Sequence, residues 1–241
     1  MKQIHLNHFL VYLVMNEVRK TNSIVSRVFS KLMFAASDWG SRIANWSARC
    51  YLRSLGVGGR AVFSYTLPAE LTQLMRLSMQ VPPGGAILEI GSHLGASTQY
   101  LGAGVSKYGG RVYCVDTWQN DAMREGERDT FREFQKNVQP LIEWIVPIRK
   151  RSECLIPADV PEPIHLAFID GDHSHRAVQR DIEIVLPLLN ENAVIAFHDT
   201  TAYSGVGRCV GELLASAKWK IGGNVSSLTW LVPAEWQVDP A

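Results

Sequence analysis

Short apolar runs separated by longer polar segments dominate the chain from about residue 60 onward. The four clearest runs are AILEIG, RVYCVD, LAFIDG and AVIAFHD. Apolar runs without alternation are typical of strands that are buried on both faces of a parallel sheet. The segments between them are long enough for crossover helices at Ser97–Val105, Arg124–Val138 and Ala177–Leu189. The pattern therefore predicts an α/β fold with a doubly wound, mostly parallel sheet.

Further elements are predicted on both sides of these runs. LPAELTQLMRLSMQ repeats apolar residues at helical spacing and predicts a helix before the first strand. KWKIGG and SLTWLVP, near the end of the chain, predict an antiparallel pair at one sheet edge. HFLVYLVM has only eight residues, too few to cross a bilayer. We expect it to form a helix that packs on the domain or a second subunit, or a basic amphipathic helix on a membrane surface.

Charge divides the chain into two parts. Residues 1–60 carry nine Lys and Arg against two acidic residues, a net of +7, whereas the whole chain has a net charge of +1. This asymmetry predicts a basic N-terminal helical extension at residues 1–62, followed by a ligand-binding domain at residues 63–241. The extension is expected to be a lid, a dimerisation arm or a membrane-surface helix.

Cysteine usage bears on the cellular compartment. The four cysteines lie far apart and form no C-x-x-C pair. They therefore predict neither a zinc site nor a disulfide framework, and a reducing cytoplasm fits them best. We expect a cytoplasmic protein, with peripheral membrane contact as the alternative that the basic N-terminus leaves open.

Each of four predicted strands ends in an acidic residue. These residues are Glu89, Asp116, Asp170 and Asp199. In open α/β sheets, ligands bind at the carboxyl ends of the strands, where such residues gather. The sequence therefore predicts a ligand site at this edge.

The turn after the first strand reads E-x-G-x-x-x-G, from Glu89 through Gly91 to Gly95. Glycines let a backbone turn sharply and approach a ligand closely, although a tight strand–helix turn without a ligand would also use them. Asp116 ends the next strand, where a carboxylate accepts hydrogen bonds from ribose hydroxyls. Trp118 would either stack on an adenine or fill the core. Together these features predict a nucleoside site.

The glycine turn, the acid that ends the second strand and FIDGDH at the fourth resemble class I S-adenosylmethionine-dependent methyltransferases, over roughly residues 65–235. The resemblance implies S-adenosylmethionine as the cofactor. The residues that it implies for cofactor binding are Glu89, Gly91, Ser92, Gly95, Ser97, Asp116, Thr117, Trp118, Ser152, Glu153 and Asp170.

The combination of DGDHS with a later HD is more specific. It resembles the branch with macrocin-type sugar O-methyltransferases and cephalosporin hydroxylase-like proteins, the type of methyltransferase domain family 24. That branch implies Mg²⁺ at Asp170, His198 and Asp199. His198 stands where an acid is usual, and imidazole is a poor Mg²⁺ ligand. A Mn²⁺, Fe²⁺ or Zn²⁺ ion, Asp172 in place of His198, or no metal at all therefore stay open, as does a merely turn-capping Asp199.

His173, three residues after Asp170, occupies the position of the general base in the related enzymes. An acceptor hydroxyl becomes nucleophilic as its proton leaves, and a neutral imidazole takes that proton near pH 7. The resemblance thus implies catalysis by His173 and Asp170. A structural histidine is the other interpretation.

The function implied is O-methylation of a hydroxyl on a sugar or another small molecule, assisted by a divalent metal where one is bound. One alternative is a non-catalytic cofactor-binding or scaffold protein of the same fold. The other is a nucleic-acid methyltransferase, but the basic N-terminus contains no recognition motif, so we expect no nucleic-acid partner. We also expect a homo-oligomer, such as a dimer.

Overall fold

The computed structural model describes residues 24–58, 62–120 and 126–236, with side chains from residue 39 onward. The predicted helix at HFLVYLVM lies outside the described residues. The chain divides into two compact units, residues 1–47 with 237–241, and Ala48–Trp236. The division at residue 62 that charge suggested stays a prediction. Within the described ranges, no helix is both long enough and apolar enough to cross a membrane.

Seven strands form one sheet in the order β3-β2-β1-β4-β5-β7-β6. Strands β1 to β5 pair in parallel, and β7 runs antiparallel to both β5 and β6. The strands are β1 (Ala86–Ile90), β2 (Arg111–Asp116), β3 (Ile145–Arg149), β4 (Ile164–Ile169), β5 (Leu189–Phe197), β6 (Trp219–Val225) and β7 (Leu228–Pro233). This sheet confirms the predicted fold class, including its antiparallel edge.

The described part of the chain contains six α-helices besides the sheet. They are α1 (Ile24–Ser54), α2 (Pro68–Ser78), α3 (Ala96–Ser106), α4 (Phe131–Val138), α5 (His175–Val185) and α6 (Ser204–Ala215). Successive residues of β1 point to opposite faces, so Ile87 packs in one core cluster and Leu88 in the other. Both are fully buried, which explains why β1 is an apolar run without alternation.

Two helices are shorter than their sequence patterns predict. α4 begins only at Phe131, whereas the pattern placed its start at residue 124. α5 ends at Val185 and passes into a 3-10 turn that contains Pro187. Proline has no backbone N–H and clashes with the preceding turn, so it ends the α-helical hydrogen bonding.

The two glycines of the turn after β1 are required by the protein's own packing. A Cβ on Gly91 would lie 2.1 Å from the carbonyl oxygen of Asp170, and one on Gly95 would lie 2.8 Å from Val138. Both residues also have a positive φ, 87° and 86°. The two glycines therefore let β1, α4 and the end of β4 approach one another. That they also make room for a ligand stays a prediction.

Gly91→Ala should destabilise the fold by about 3 kcal/mol or more, because the new methyl group meets backbone that cannot move aside. Gly84→Ala is the matched control, since Gly84 shares the positive φ but has open space around it. The control should lose only about 1 kcal/mol, from backbone strain alone. Urea unfolding of the two variants measures the difference, and equal losses would contradict the packing explanation.

Candidate active site

Asp170, His173 and Asp199 meet at the carboxyl ends of β4 and β5. Register pairs Ile169 with Phe197, so the residues that follow these strands emerge side by side. Nε2 of His173 lies 3.1 Å from Oδ2 of Asp199 and 3.9 Å from Oδ1 of Asp170. That nitrogen is enclosed, and both carboxylates lie on its side of the ring.

The backbone of Asp199 explains how its side chain reaches this group. Its φ is 59°, in the left-handed region, which aspartate tolerates better than most residues. Its carbonyl accepts hydrogen bonds from the amides of Ala202 and Tyr203 and so closes the turn. The turn is thus capped by the backbone of Asp199, and its carboxylate faces His173.

Charge within the group makes His173 more basic than an ordinary histidine. The neighbouring carboxylate of Asp170 raises the pKa of His173, and this outweighs the opposing effect of burial. Burial would raise the pKa of Asp170, but His173 and His198 lower it. Asp170 is therefore a carboxylate that stabilises positive charge on both imidazoles.

His198 forms a buried ion pair that joins distant parts of the chain. Its Nε2 lies 3.0 Å from Oε2 of Glu70, and both residues are buried. Its Nδ1 lies 3.2 Å from Oδ1 of Asp170 and 3.5 Å from Oδ2 of Asp199. Burial alone would lower the pKa of His198, but the bonds with Asp170 and Glu70 raise it to about 10. His198 is thus an imidazolium enclosed by carboxylates.

Glu70 is held from several directions at once. Its Oε2 accepts a hydrogen bond from the amide of Leu67 at 2.7 Å, which closes the first turn of α2. Its Oε1 accepts from both the amide and the hydroxyl of Ser227, each at 2.8 Å. Burial would raise the pKa of Glu70, but these bonds and the one from His198 lower it to about 2.

One of the three predicted metal ligands is different in the structure, where His173 takes the place of His198. The ligand atoms of Asp170, His173 and Asp199 all lie within 4.8 Å of one another, a spacing that suits one ion. His198 was predicted as a ligand, but as an imidazolium it donates from both nitrogens and has no lone pair to offer. Two carboxylates and one imidazole fit Mn²⁺, Fe²⁺ or Zn²⁺ better than Mg²⁺.

A second group of potential ligands, His175, Cys209 and Glu212, has its donors already occupied. Nε2 of His175 lies 3.0 Å from Oε2 of Glu212, and Nε of Arg208 lies 2.9 Å from Oε1. The thiol of Cys209 donates to the carbonyl of His175. This group is a partly exposed ion-pair cluster beside the site.

Glu89 lies beneath the glycine turn and does not reach the ligand edge. It is fully buried, and its carboxylate accepts hydrogen bonds from the hydroxyls of Ser92, Ser97 and Thr98 at 2.5–2.7 Å. These hydrogen bonds fix the shape of the turn. That the side chains of Glu89, Ser92 and Ser97 touch the cofactor stays a prediction.

Asp116 connects the turns that follow β1 and β2. Its Oδ2 accepts from the amide of His93 at 2.8 Å, and its Oδ1 from the amide of Trp118 at 2.6 Å. The indole of Trp118 is fully buried against Phe134 and donates to the carbonyl of His93. Stacking of Trp118 on an adenine is thus corrected to a core role, whereas Asp116 and the adjacent Thr117 stay predicted cofactor contacts.

A cavity of about 200 Å³ opens beside these turns at the strand ends. Ile90 and Gly171 form part of its wall, and Ser152, Glu153 and Asp181 bring polar groups to it. Burial raises the pKa of Asp181 to about 6, partly offset by a hydrogen bond from Ser152. The guanidinium groups of Arg176 and Arg180 also line the cavity, so its wall combines apolar and charged groups. Ser152 and Glu153 stay predicted cofactor contacts.

Sequence reasoning missed Glu70 and Asp181. The only local signal for Glu70 is its place three residues after Leu67 and two after Pro68, where a glutamate closes the first turn of a helix. Nothing near it indicates a contact with His198. Asp181 lies within the helical pattern of α5, where a polar residue is ordinarily read as exposed, yet it is buried.

Residues 88–200 match the family model described as a methyltransferase domain. Uncharacterized protein y4gI of Sinorhizobium fredii (strain NBRC 101917 / NGR234) is 31% identical over 120 residues. The match covers 47% of this chain and only 13% of that much longer relative.

Solved structures share the fold at low identity. The O-methyltransferase TomG from Streptomyces achromogenes, in complex with S-adenosylmethionine, superposes with a TM-score of 0.55 at 17% identity, covering 79% of this chain and 89% of that one. An rRNA methylase from Streptococcus thermophilus gives 0.50 at 15%, covering 72% and 100%. These likenesses show that the chain shares its fold with both proteins.

Glu70→Gln should lower the free energy of unfolding by about 3 kcal/mol at neutral pH, because it leaves His198 buried without its carboxylate partner. Asp159→Asn, which breaks the half-exposed bridge to Lys150, is the control and should cost less than about 1 kcal/mol. Equal losses in urea unfolding would contradict the importance of burial.

The same pair gives stability a defined pH dependence. The pKa of Glu70, lowered from 4.5 to about 2, means that its contribution is lost as pH falls through this range. The pKa of His198, raised from 6.5 to about 10, means that its contribution is lost as pH rises through that range. The stability difference between wild type and Glu70→Gln should therefore be greatest between pH 4.5 and 6.5.

Proposed function

We propose that this protein transfers a methyl group from S-adenosylmethionine to a hydroxyl of a small molecule, with a sugar as the preferred class of acceptor. The observation that carries the proposal is the enclosed Nε2 of His173, which lies 3.1 Å from Asp199 and 3.9 Å from Asp170 at the strand ends. This nitrogen is placed to take a proton where the fold binds its ligands.

The cofactor would occupy the strand-end cavity. Ser152, Glu153 and Asp181 would face the adenine edge, and Asp116 would accept from the ribose hydroxyls. When bound, S-adenosylmethionine supplies an electrophilic methyl group on its sulfonium. His173 lies in sequence between Asp172 and Ser174, both of which line the cavity. The base and the cofactor site are therefore adjacent.

His173 would accept the proton of the acceptor hydroxyl at Nε2 as the oxygen attacks the methyl carbon. The C–O bond forms, the C–S bond breaks with its electrons returning to sulfur, and the products are a methyl ether and S-adenosylhomocysteine. Asp170 stabilises the resulting imidazolium, in keeping with the raised pKa of His173. Asp199 orients the ring from 3.1 Å.

Exposed aromatic rings beside the site favour a sugar or another acceptor with a flat apolar face. The ring of Tyr203 stacks on His173, with centroids 4.2 Å apart, and is 42% exposed. Tyr65 lies against His93 in the turn after β1, with centroids 6.4 Å apart. Aromatic faces of this kind pack on apolar faces of a ligand while the polar groups hold its hydroxyls.

A divalent ion at this site would be held by Asp170, His173 and Asp199, and its chemistry would be to lower the pKa of a bound hydroxyl. The ion would coordinate the same Nε2 lone pair with which His173, as a base, would accept the proton. The two uses of His173 therefore exclude each other, and we propose the base because His198 already balances the carboxylates with a positive charge.

His173→Ala should reduce kcat by about a hundredfold to ten-thousandfold, because the acceptor proton then has no base. Affinity for S-adenosylmethionine should stay within about twofold of wild type, since the imidazole takes no part in the predicted cofactor contacts. The control is His175→Ala, which removes a neighbouring imidazole outside the group. Methyl transfer to a panel of sugars, with calorimetry for the cofactor, gives both values; undiminished turnover would remove the base assignment.

Methyl transfer should persist after exhaustive treatment with a chelator, because His173 acts without an ion. Added Mn²⁺ should then inhibit, since the ion competes with the proton for Nε2. Turnover lost on chelation and restored by Mn²⁺ would instead make His173 a metal ligand and contradict the proposed base.

A further inference from the structure

Helix α1 exposes a row of large apolar side chains. Trp39, Ile43 and Trp46 are 65%, 60% and 67% exposed, and they are among the most exposed large apolar residues in the described part of the chain. Exposed indoles are unusual on a surface that faces only water, so this row indicates a binding surface. We call these three residues the Trp39–Trp46 row.

The row occupies one face of the helix. Its members are spaced by four and three residues, so they fall within roughly 60° around the axis at about 100° per residue. Ala48 and Leu52, which are buried, point to nearly the opposite side. The row is therefore not the face by which the C-terminal part of α1 packs into the core.

Basic residues run along one side of the row. Arg42 and Arg53 are exposed and lie on the adjoining strip of the helix, together with Arg49, which also bonds to Tyr100. α1 contains only one acidic residue, Asp38, and residues 1–60 have a net charge of +7. The surface thus combines indole rings with positive charge.

We propose that the Trp39–Trp46 row docks on an anionic membrane surface. Tryptophan and basic residues on one amphipathic helix suit the boundary of a bilayer, where indoles enter the headgroup region and arginines meet lipid phosphates. A second copy of this chain would bring the same arginine-rich strip and would offer no acidic row to balance it. The inference does not depend on the proposed methyl transfer, because it concerns α1 alone.

The test is flotation of the full-length protein with vesicles made of equal parts phosphatidylcholine and phosphatidylglycerol, against vesicles of phosphatidylcholine alone. The wild type should float with the anionic vesicles and remain at the bottom with the neutral ones, and high salt should weaken binding. Trp39→Ser with Trp46→Ser should weaken the partition by at least about tenfold for each indole removed. Arg42→Gln with Arg53→Gln should weaken it by about fivefold for each charge.

Ile156→Ser is the matched control, since Ile156 is a comparably exposed apolar residue outside α1. It should float like the wild type. The proposal is overturned if the wild type does not bind anionic vesicles, or if the double tryptophan variant binds them as well as the wild type. It is also overturned if light scattering shows a wild-type dimer that ignores vesicles and dissociates in the double tryptophan variant, because the row would then be a self-association surface.

Discussion

The buried ion pair between Glu70 and His198 is the interaction on which the geometry of the site depends. It joins the first turn of α2 to the end of β5, across 128 positions of the chain, and Ser227, in the turn just before β7, completes the shell around Glu70. Removing two charges from water is costly, and this cost is met only because each carboxylate oxygen of Glu70 accepts hydrogen bonds of its own. The pair fixes the plane of the His198 ring and so directs Nδ1 at Asp170.

The position of His173 follows from that arrangement. Asp170 and Asp199 would repel each other at the strand ends, and His198 supplies a positive charge between them from below. His173 then approaches from the open side, where Tyr203 stacks on its ring. A histidine at a position that related metal-dependent enzymes give to an acid is thus compatible with an ordered site, because it acts as an internal cation.

The strand pattern was predictable from local chemistry. Apolar runs without alternation identified the parallel strands. Because ligands bind at the carboxyl ends of parallel strands, Asp170 and Asp199 could be predicted to lie in one site. His173 followed from the family resemblance, which implies a general base three residues after Asp170. Each of these inferences uses residues close in sequence or elements with a fixed spatial relation.

The other features of the site depend on side-chain packing that the sequence alone does not reveal. The sequence around Trp118 is the same whether its indole stacks on a ligand or fills the core. Its enclosure by Phe131 and Phe134 in the structure decides between these two roles. The hydroxyls that surround Glu89 come from α3 and from the turn after β1. This acidic residue is therefore buried and holds the turn in place. Glu70 could not be predicted as a site residue because its partner, His198, is 128 residues away in the sequence. The packing constraint on Gly91 could not be predicted either, because the atom that a Cβ would meet there belongs to Asp170.

The measurement that tests this account most directly is calorimetric titration of the full-length protein with S-adenosylmethionine, alongside Gly171→Val. Gly171 lines the cavity, and a Cβ there would meet its neighbours only at ordinary contact distances of 3.4 Å, so a larger side chain should fill the cavity and spare the fold. We predict saturable binding to the wild type at one site and its loss in a variant that unfolds normally. Absence of binding to the wild type, or equal affinity in Gly171→Val, would contradict the placement of the cofactor at the strand ends.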